Sequence, residues 1–166
     1  EVTTYLQYPN RVRVETTIPG ATIVQAYDGS RGWIKDPNGL HDVPAQTIRD
    51  LESGFKRDTV LLLLAAHDGS LRPRLLPDVR DDRGTLQHAL ELSSLTLDPV
   101  VLRIDPDTSL ITSEIYVAGG VGRPLVQEQF SDYRTVDGVQ LAFTARVQTA
   151  GQPSPERRAT SIAVNP

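Results

Sequence analysis

Residues of the types that usually catalyse reactions or bind metals are few in this chain and lie far apart. The three histidines are His41, His67 and His88, and their spacing does not match the HExxH motif of zinc peptidases. The chain has no cysteine, so a structural zinc site, which normally uses thiolate ligands, is not expected either. We therefore predict that the protein binds no transition metal and needs no cofactor.

A short acidic segment resembles the start of a calcium-binding loop but lacks the residues that complete one. Asp105 and Asp107 alternate as calcium ligands would. The sixth position of such a loop, however, is Leu110 where a glycine is needed, and the twelfth is Tyr116 where a bidentate glutamate belongs. We interpret the segment as a turn between two strands.

The sequence also lacks the motifs that build common active sites. It contains no G-x-S-x-G elbow, no P-loop and no G-x-G-x-x-G after a strand. The carboxylates of Asp81 and Asp82 lie in a polar turn, where nothing separates their pKa values as acid–base catalysis requires. The glycine-rich segment Ala118 to Gly122 lies between two strand patterns rather than at a helix start, which favours a hairpin loop over an anion site. The chain is therefore predicted not to be an enzyme.

Length and composition indicate a folded protein. The 166 residues fit a single domain, 1–166, and 39% of them are hydrophobic while 23% are charged. The formal net charge of −4 gives no reason to expect nucleic acid as a partner. The longest unbroken apolar run, Val60 to Ala66, is far shorter than the roughly 20 residues of a membrane-spanning helix, so the chain is not expected to cross a membrane.

Most of the chain shows the two-residue alternation of half-buried strands. The pattern is clear in Arg11–Ile18, Thr85–Ser93 and Val139–Val147, where apolar and polar residues occupy opposite faces. Glycine, proline, asparagine and aspartate mark turns at short intervals between such segments. We predict about eleven or twelve short antiparallel strands in a mainly β member of the α+β class.

One segment breaks this alternation. After Pro44, which suits the first turn of a helix, apolar residues recur at spacings of three and four as in an amphipathic helix. Gly54 and the charged residues after it are expected to interrupt the helix, and Val60 to Ala66 then form a second helical piece that is apolar on every side. We predict a curved antiparallel sheet, an incomplete β-barrel, whose concave face is covered by this helical insertion.

Four segments carry a resemblance to a known family. They read YPNRVRVE at 8–15, YDGSRGW at 27–33, LRIDPDTSLITSE at 102–114 and FSDYRTVDGVQLAF at 130–143. These segments resemble the strands and turns of LolA-like bacterial lipoprotein-sorting domains, and the similarity spans nearly the whole chain. Most of the matching residues are turn and core residues, so they indicate a fold more firmly than an activity.

The resemblance implies an apolar cavity that holds the acyl chains of lipoproteins or other lipids, and a periplasmic or secreted bacterial location. Similar domains also occur as non-catalytic appendages, including at the carboxy end of insulinase-type zinc peptidase-like proteins. Two departures are visible. The family's amino-terminal helix and first strands are missing, so we expect a domain truncated at its amino terminus, and Ala142 replaces a proline that usually precedes the phenylalanine.

Two functional hypotheses follow. In the first, the protein is a carrier or binding module whose partners are lipid or lipoprotein acyl chains held in the apolar cavity. In the second, it is an accessory docking domain of a larger secreted polypeptide, with other domains of that polypeptide as partners and a core filled by its own side chains. The residues predicted to line the cavity, or to fill it under the second hypothesis, are Trp33, Ile48, Leu51, Phe55, Leu61, Leu62, Leu90, Ile115 and Phe143.

Overall fold

The computed structural model describes residues 1–118 and 122–164. Within these ranges the chain is mainly β, with strands in two antiparallel sheets and two helices between them in sequence. It divides into two compact units, Glu1–Ala65 and Ala66–Pro166. The predicted fold class, mainly β with a helical insertion, is confirmed. The grouping of both units into one domain, 1–166, remains our prediction.

The first unit contains a five-stranded sheet built from consecutive hairpins. Its strands are β1 Val2–Gln7, β2 Arg11–Ile18, β3 Ala21–Tyr27, β4 Gly32–Asp36 and β5 Gly39–Asp42, and they lie side by side in chain order. Each neighbouring pair is antiparallel, and the β1–β2 register places Leu6 opposite Val12. The short turns predicted from the sequence therefore connect strands that are neighbours in this sheet.

Two helices follow β5: α1 Ala45–Lys56 and α2 Thr59–His67. Helix α1 begins directly after Pro44, whose carbonyl accepts the N–H of Ile48 at 3.1 Å. The predicted interruption is confirmed at the charged residues Arg57 and Asp58, where the break falls, whereas Gly54 lies inside α1. The N–H of Asp58 instead bonds the carbonyl of Phe55 at 2.9 Å, which tightens and ends the last turn.

The second unit contains a seven-stranded sheet, also in chain order. Its strands are β6 Arg72–Arg80, β7 Leu86–Ser94, β8 Leu97–Ile104, β9 Ile111–Val117, β10 Leu125–Val136, β11 Val139–Thr149 and β12 Glu156–Arg158. Residues 159–164 form no strand, and the pairing with β11 is made by β12. Part of the predicted glycine-rich loop, residues 119–121, lies outside the described residues.

The segment that resembled a calcium loop is the turn between β8 and β9, as predicted. One carboxylate oxygen of Asp105 accepts the N–H groups of Asp107 and Thr108, at 3.0 and 2.8 Å. These bonds to the backbone of the turn lower the pKa of Asp105. In the described ranges, neither helix has the length and apolar character needed to span a membrane.

Candidate functional site

An apolar groove lies in the first unit between α1 and the first two strands. Its volume is about 360 Å³ and it is open to solvent. This volume is within the range of about 300–1,000 Å³ that small-molecule sites usually have. The lining residues are Leu6, Val12, Thr47, Asp50, Leu51, Gly54, Phe55 and Asp58.

The helical side of the groove follows from the period of α1. Thr47, Leu51 and Phe55 are spaced by four residues, so they form one stripe along the helix. Gly54 lies beside this stripe and has no side chain, and an added Cβ there would have no heavy atom within 4 Å. The groove therefore stays open next to Phe55, which is itself 9% exposed.

The strand side of the groove is set by the β1–β2 register. Leu6 and Val12 are directly opposite each other, so their side chains point to the same face of the sheet. Leu6 is 45% exposed, which is a high value for a leucine that faces a helix. The exposure of this side chain shows that α1 does not seal the groove at this point.

A buried tyrosine fixes α1 to the sheet near the middle of the helix. The Tyr27 hydroxyl, on β3, donates a hydrogen bond to the Glu52 carboxylate at 2.7 Å. The Tyr27 side chain is 4% exposed, and this burial together with the nearby Glu52 carboxylate raises the pKa of Tyr27 to about 12. The tyrosine thus stays protonated and keeps donating at neutral pH.

A second tyrosine fixes the end of α1. The Tyr8 hydroxyl, in the turn after β1, donates to the Asp58 carboxylate at 2.9 Å, and partial burial followed by the Asp58 charge raises the pKa of Tyr8. The same carboxylate oxygen accepts the N–H groups of Val60 and Leu61, both at 3.1 Å, so Asp58 is the N-cap of α2. Asp58 therefore connects β1, α1 and α2 at one rim of the groove.

The groove combines an apolar interior with two carboxylates. Asp50 accepts a hydrogen bond from the Gln46 side chain at 3.0 Å, and Asp58 accepts the Tyr8 bond. The remaining lining is hydrocarbon or glycine, except for Thr47. Such a surface can hold a hydrocarbon chain, and its acidic groups disfavour an anionic group placed beside them. Within the ranges 1–118 and 122–164, no group of histidines and acidic residues could hold a metal ion.

The structure brings together two of the residues predicted to line a cavity, Leu51 and Phe55. Trp33 and Ile48 also belong to the first unit and are half-buried, but they do not line the groove. On α2, Leu61 is half-buried and Leu62 is fully buried.

The three remaining predicted residues lie on the seven-stranded sheet and divide between its two faces. Leu90 is opposite Leu102, which is in turn opposite Glu114, so Leu90 shares a face with Glu114. Ile115 follows Glu114 in the same strand and therefore points to the other face. The β10–β11 register places Phe143 on the face of Leu90. The sheet thus separates Ile115 from the other two.

Sequence reasoning missed most of the groove-lining residues. Thr47 and Asp58 could have been found by extending the stripe of Leu51 and Phe55 by one turn in each direction. Gly54 could have been found as the residue three positions after Leu51. Leu6 could not have been found in this way, because its place in the groove depends on the pairing of β1 with β2 and on how α1 lies across them.

Comparison with known proteins finds a solved structure with a similar fold. The chain is similar in structure to a domain from Vibrio parahaemolyticus that is described as an outer membrane lipoprotein-sorting protein domain, with a TM-score of 0.52 and 11% sequence identity. The similarity covers 99% of this chain and 78% of that one. No protein-family model matches the chain, and no curated protein matches it significantly. The resemblance to lipoprotein-sorting domains is confirmed at the level of the fold, which is all that this identity establishes.

Proposed function

We propose that the protein is a non-catalytic carrier or binding module that holds the hydrocarbon of a lipid or of a lipoprotein acyl chain in the groove under α1. The observation that carries the proposal is the groove itself, in which Leu6, Val12, Leu51 and Phe55 line an open apolar space of about 360 Å³. Hydrocarbon that enters this space leaves water, and no charged contact is needed to retain it.

The expected affinity follows from the number of methylenes that the groove covers. Each buried methylene contributes about 0.8 kcal/mol, so ten fully buried methylenes would contribute about 8 kcal/mol. An open groove covers only part of each methylene, and half of that figure is about 4 kcal/mol. We therefore expect dissociation constants between about 1 μM and 1 mM.

The carboxylates of Asp50 and Asp58 refine the proposed ligand class. A fatty acid would bring its own negative charge toward these two groups, whereas an esterified acyl chain would not. We infer that the groove prefers neutral, ester-linked acyl chains. The similarity in fold to a domain described as lipoprotein-sorting supports an acyl chain as the ligand. It also supports a periplasmic or secreted location.

The test uses Gly54, where the groove can be filled without disturbing the helix. Leucine and alanine both favour helix over glycine, and an added Cβ meets no atom within 4 Å, so both variants should fold at least as well as the parent chain. We expect delipidated protein to bind a fluorescent acyl ester saturably at about one per chain. Gly54→Leu should weaken binding about tenfold or more, because its side-chain carbons occupy the space of three to four methylenes at about 0.4–0.8 kcal/mol each. Gly54→Ala serves as the matched control and should retain most of the affinity.

Two results would contradict the proposal. Failure of the delipidated protein to bind the ester or the matching fatty acid saturably would favour the accessory docking domain with a self-filled core. Equal binding by the parent chain and Gly54→Leu, with unchanged circular dichroism, would show that hydrocarbon binds somewhere other than this groove.

A further inference from the structure

A second cavity lies on the seven-stranded sheet and is polar. Its volume is about 510 Å³, and its lining comes from β7 to β12 together with the turn between β6 and β7. It shares no lining residue with the groove under α1. Apart from Phe130, the lining residues carry hydroxyl, amide, guanidinium or carboxylate groups.

The floor of this cavity is a row of polar residues across four adjacent strands. Arg103 is opposite Ser113, Ser113 is opposite Gln129, and Gln129 is opposite Arg146. Directly opposed residues point to the same face, and neighbouring strands are about 4.8 Å apart. The backbones of the two arginines are thus separated by three strand spacings, about 14 Å, with shorter side chains between them. The row forms a polar floor between two long cationic side chains.

Ser113 is the residue that most directly indicates a ligand. It is 3% exposed, and its hydroxyl oxygen has no hydrogen-bond partner among the described residues. Buried polar groups without a partner are uncommon in folded proteins, because burial removes the water that would otherwise bond them. A molecule in the cavity that presents a hydroxyl or an anionic oxygen would provide the missing partner.

The lining includes three arginines and three acidic residues, so the charge available to a ligand depends on which of them are already paired. The Arg103 guanidinium makes no ion pair or side-chain hydrogen bond to the described part of the chain, whereas Arg146 is bonded to Glu156 at 3.0 Å. The acidic residues Asp81 and Asp82 lie in the turn before β7, and Glu156 lies on the edge strand β12. Glu156 is shared between two arginines, and the Asp81 carboxylate accepts the backbone N–H groups of its own turn. An anionic group near Arg103 would therefore gain a charge partner.

We propose that this cavity binds a small hydroxyl-rich carboxylate of the sugar-acid class. Arg103 would bond the carboxylate, and Ser113 would bond a ligand oxygen. The amide of Gln129 both donates and accepts, as do the hydroxyls of a sugar, so the neighbouring floor matches such a ligand better than it matches a hydrocarbon. This inference does not depend on the acyl-chain proposal, because the two cavities use different residues.

The test is calorimetric titration of the delipidated chain with sodium D-glucuronate, D-glucose and inorganic phosphate. We expect saturable binding of glucuronate, with glucose and phosphate each about tenfold weaker or worse, because glucose lacks the charge and phosphate lacks the sugar hydroxyls. Arg103→Gln should weaken glucuronate binding about tenfold or more, and Ser113→Ala about fivefold. Arg72→Gln removes an exposed arginine of the same sheet that does not line the cavity, and should leave binding unchanged.

Each alternative outcome would overturn a stated part of the proposal. No saturable binding of glucuronate up to about 20 mM would overturn the assignment of a sugar-acid ligand to this cavity. Equal affinity for glucose would remove the role of Arg103, and equal affinity for phosphate would remove the role of the hydroxyl-binding floor. Ser113→Ala should not lower the melting temperature, since its hydroxyl has no protein partner to lose, so a loss of binding in this variant cannot be attributed to unfolding.

Discussion

Replacing Asp58 by alanine removes two contacts made by its carboxylate between the two helices, and we expect it to destabilise the protein by about 2 kcal/mol. One contact is the N-cap of α2, made to the N–H groups of Val60 and Leu61, and a lost cap costs about 1 kcal/mol. The other is the hydrogen bond from the Tyr8 hydroxyl. A bond to a charged acceptor contributes about 1.5–3 kcal/mol, which we reduce to about 1 kcal/mol because Tyr8 is 37% exposed.

A double-mutant cycle measured by urea unfolding separates these two contributions. Tyr8→Phe removes only the hydroxyl and should cost about 1 kcal/mol. Asp58→Ala made in the Tyr8→Phe background should cost only the cap, again about 1 kcal/mol, so the coupling energy is about 1 kcal/mol. Asp58→Asn is the control, since asparagine caps helices as well as aspartate does. Additive single-mutant effects would show that the bond to Tyr8 contributes nothing, and would refute the view that this tyrosine positions α1.

Two further predictions concern the first unit. Gly29 has a φ of +100° and an added Cβ would lie 2.5 Å from the Asn10 side chain, so Gly29→Ala should cost about 1–3 kcal/mol in urea unfolding. Gly20→Ala, at a φ of +82° with no atom near its Cβ, keeps only the backbone strain and should cost less, and an equal cost would show that the Asn10 side chain moves aside freely. For Tyr27, the pKa is raised from 10.0 to about 12 in the folded state. Its stabilising effect is therefore complete below about pH 10 and lost as the pH rises through about 12. Tyr27→Phe should make stability fall less steeply across that range, and an unchanged slope would contradict the assignment.

Much of the fold could be predicted because its signals are local. The alternation of Arg11–Ile18 corresponds to β2 with the same bounds, and that of Val139–Val147 falls within β11. Pro44 marked the start of α1 correctly, since its effect depends only on its own backbone. The short turns between the strands favour antiparallel pairing of strands that follow each other in the chain, and both sheets show this pairing.

What the sequence did not predict depends on long-range pairing. No local sequence pattern indicates that β5 and β6 belong to different sheets. We therefore expected a single sheet, whereas the structure has two. In β7, Leu86 is exposed and Gln87 is buried at 2%, the reverse of the hydrophobic pattern, because Gln87 faces the polar cavity and accepts a bond from Thr112. The groove was missed for the same reason, since Leu6 reaches it only through the packing of α1 on β1 and β2.

The measurement that tests the central claim most directly is photo-crosslinking with an acyl ester that carries a diazirine in its chain, followed by peptide mapping. We expect adducts on α1 around Leu51 and Phe55 and on β1 and β2 around Leu6 and Val12. We also expect Gly54→Leu to remove them and Gly54→Ala to retain them. Adducts that fall mainly on the seven-stranded sheet, or that are unaffected by Gly54→Leu, would contradict this claim.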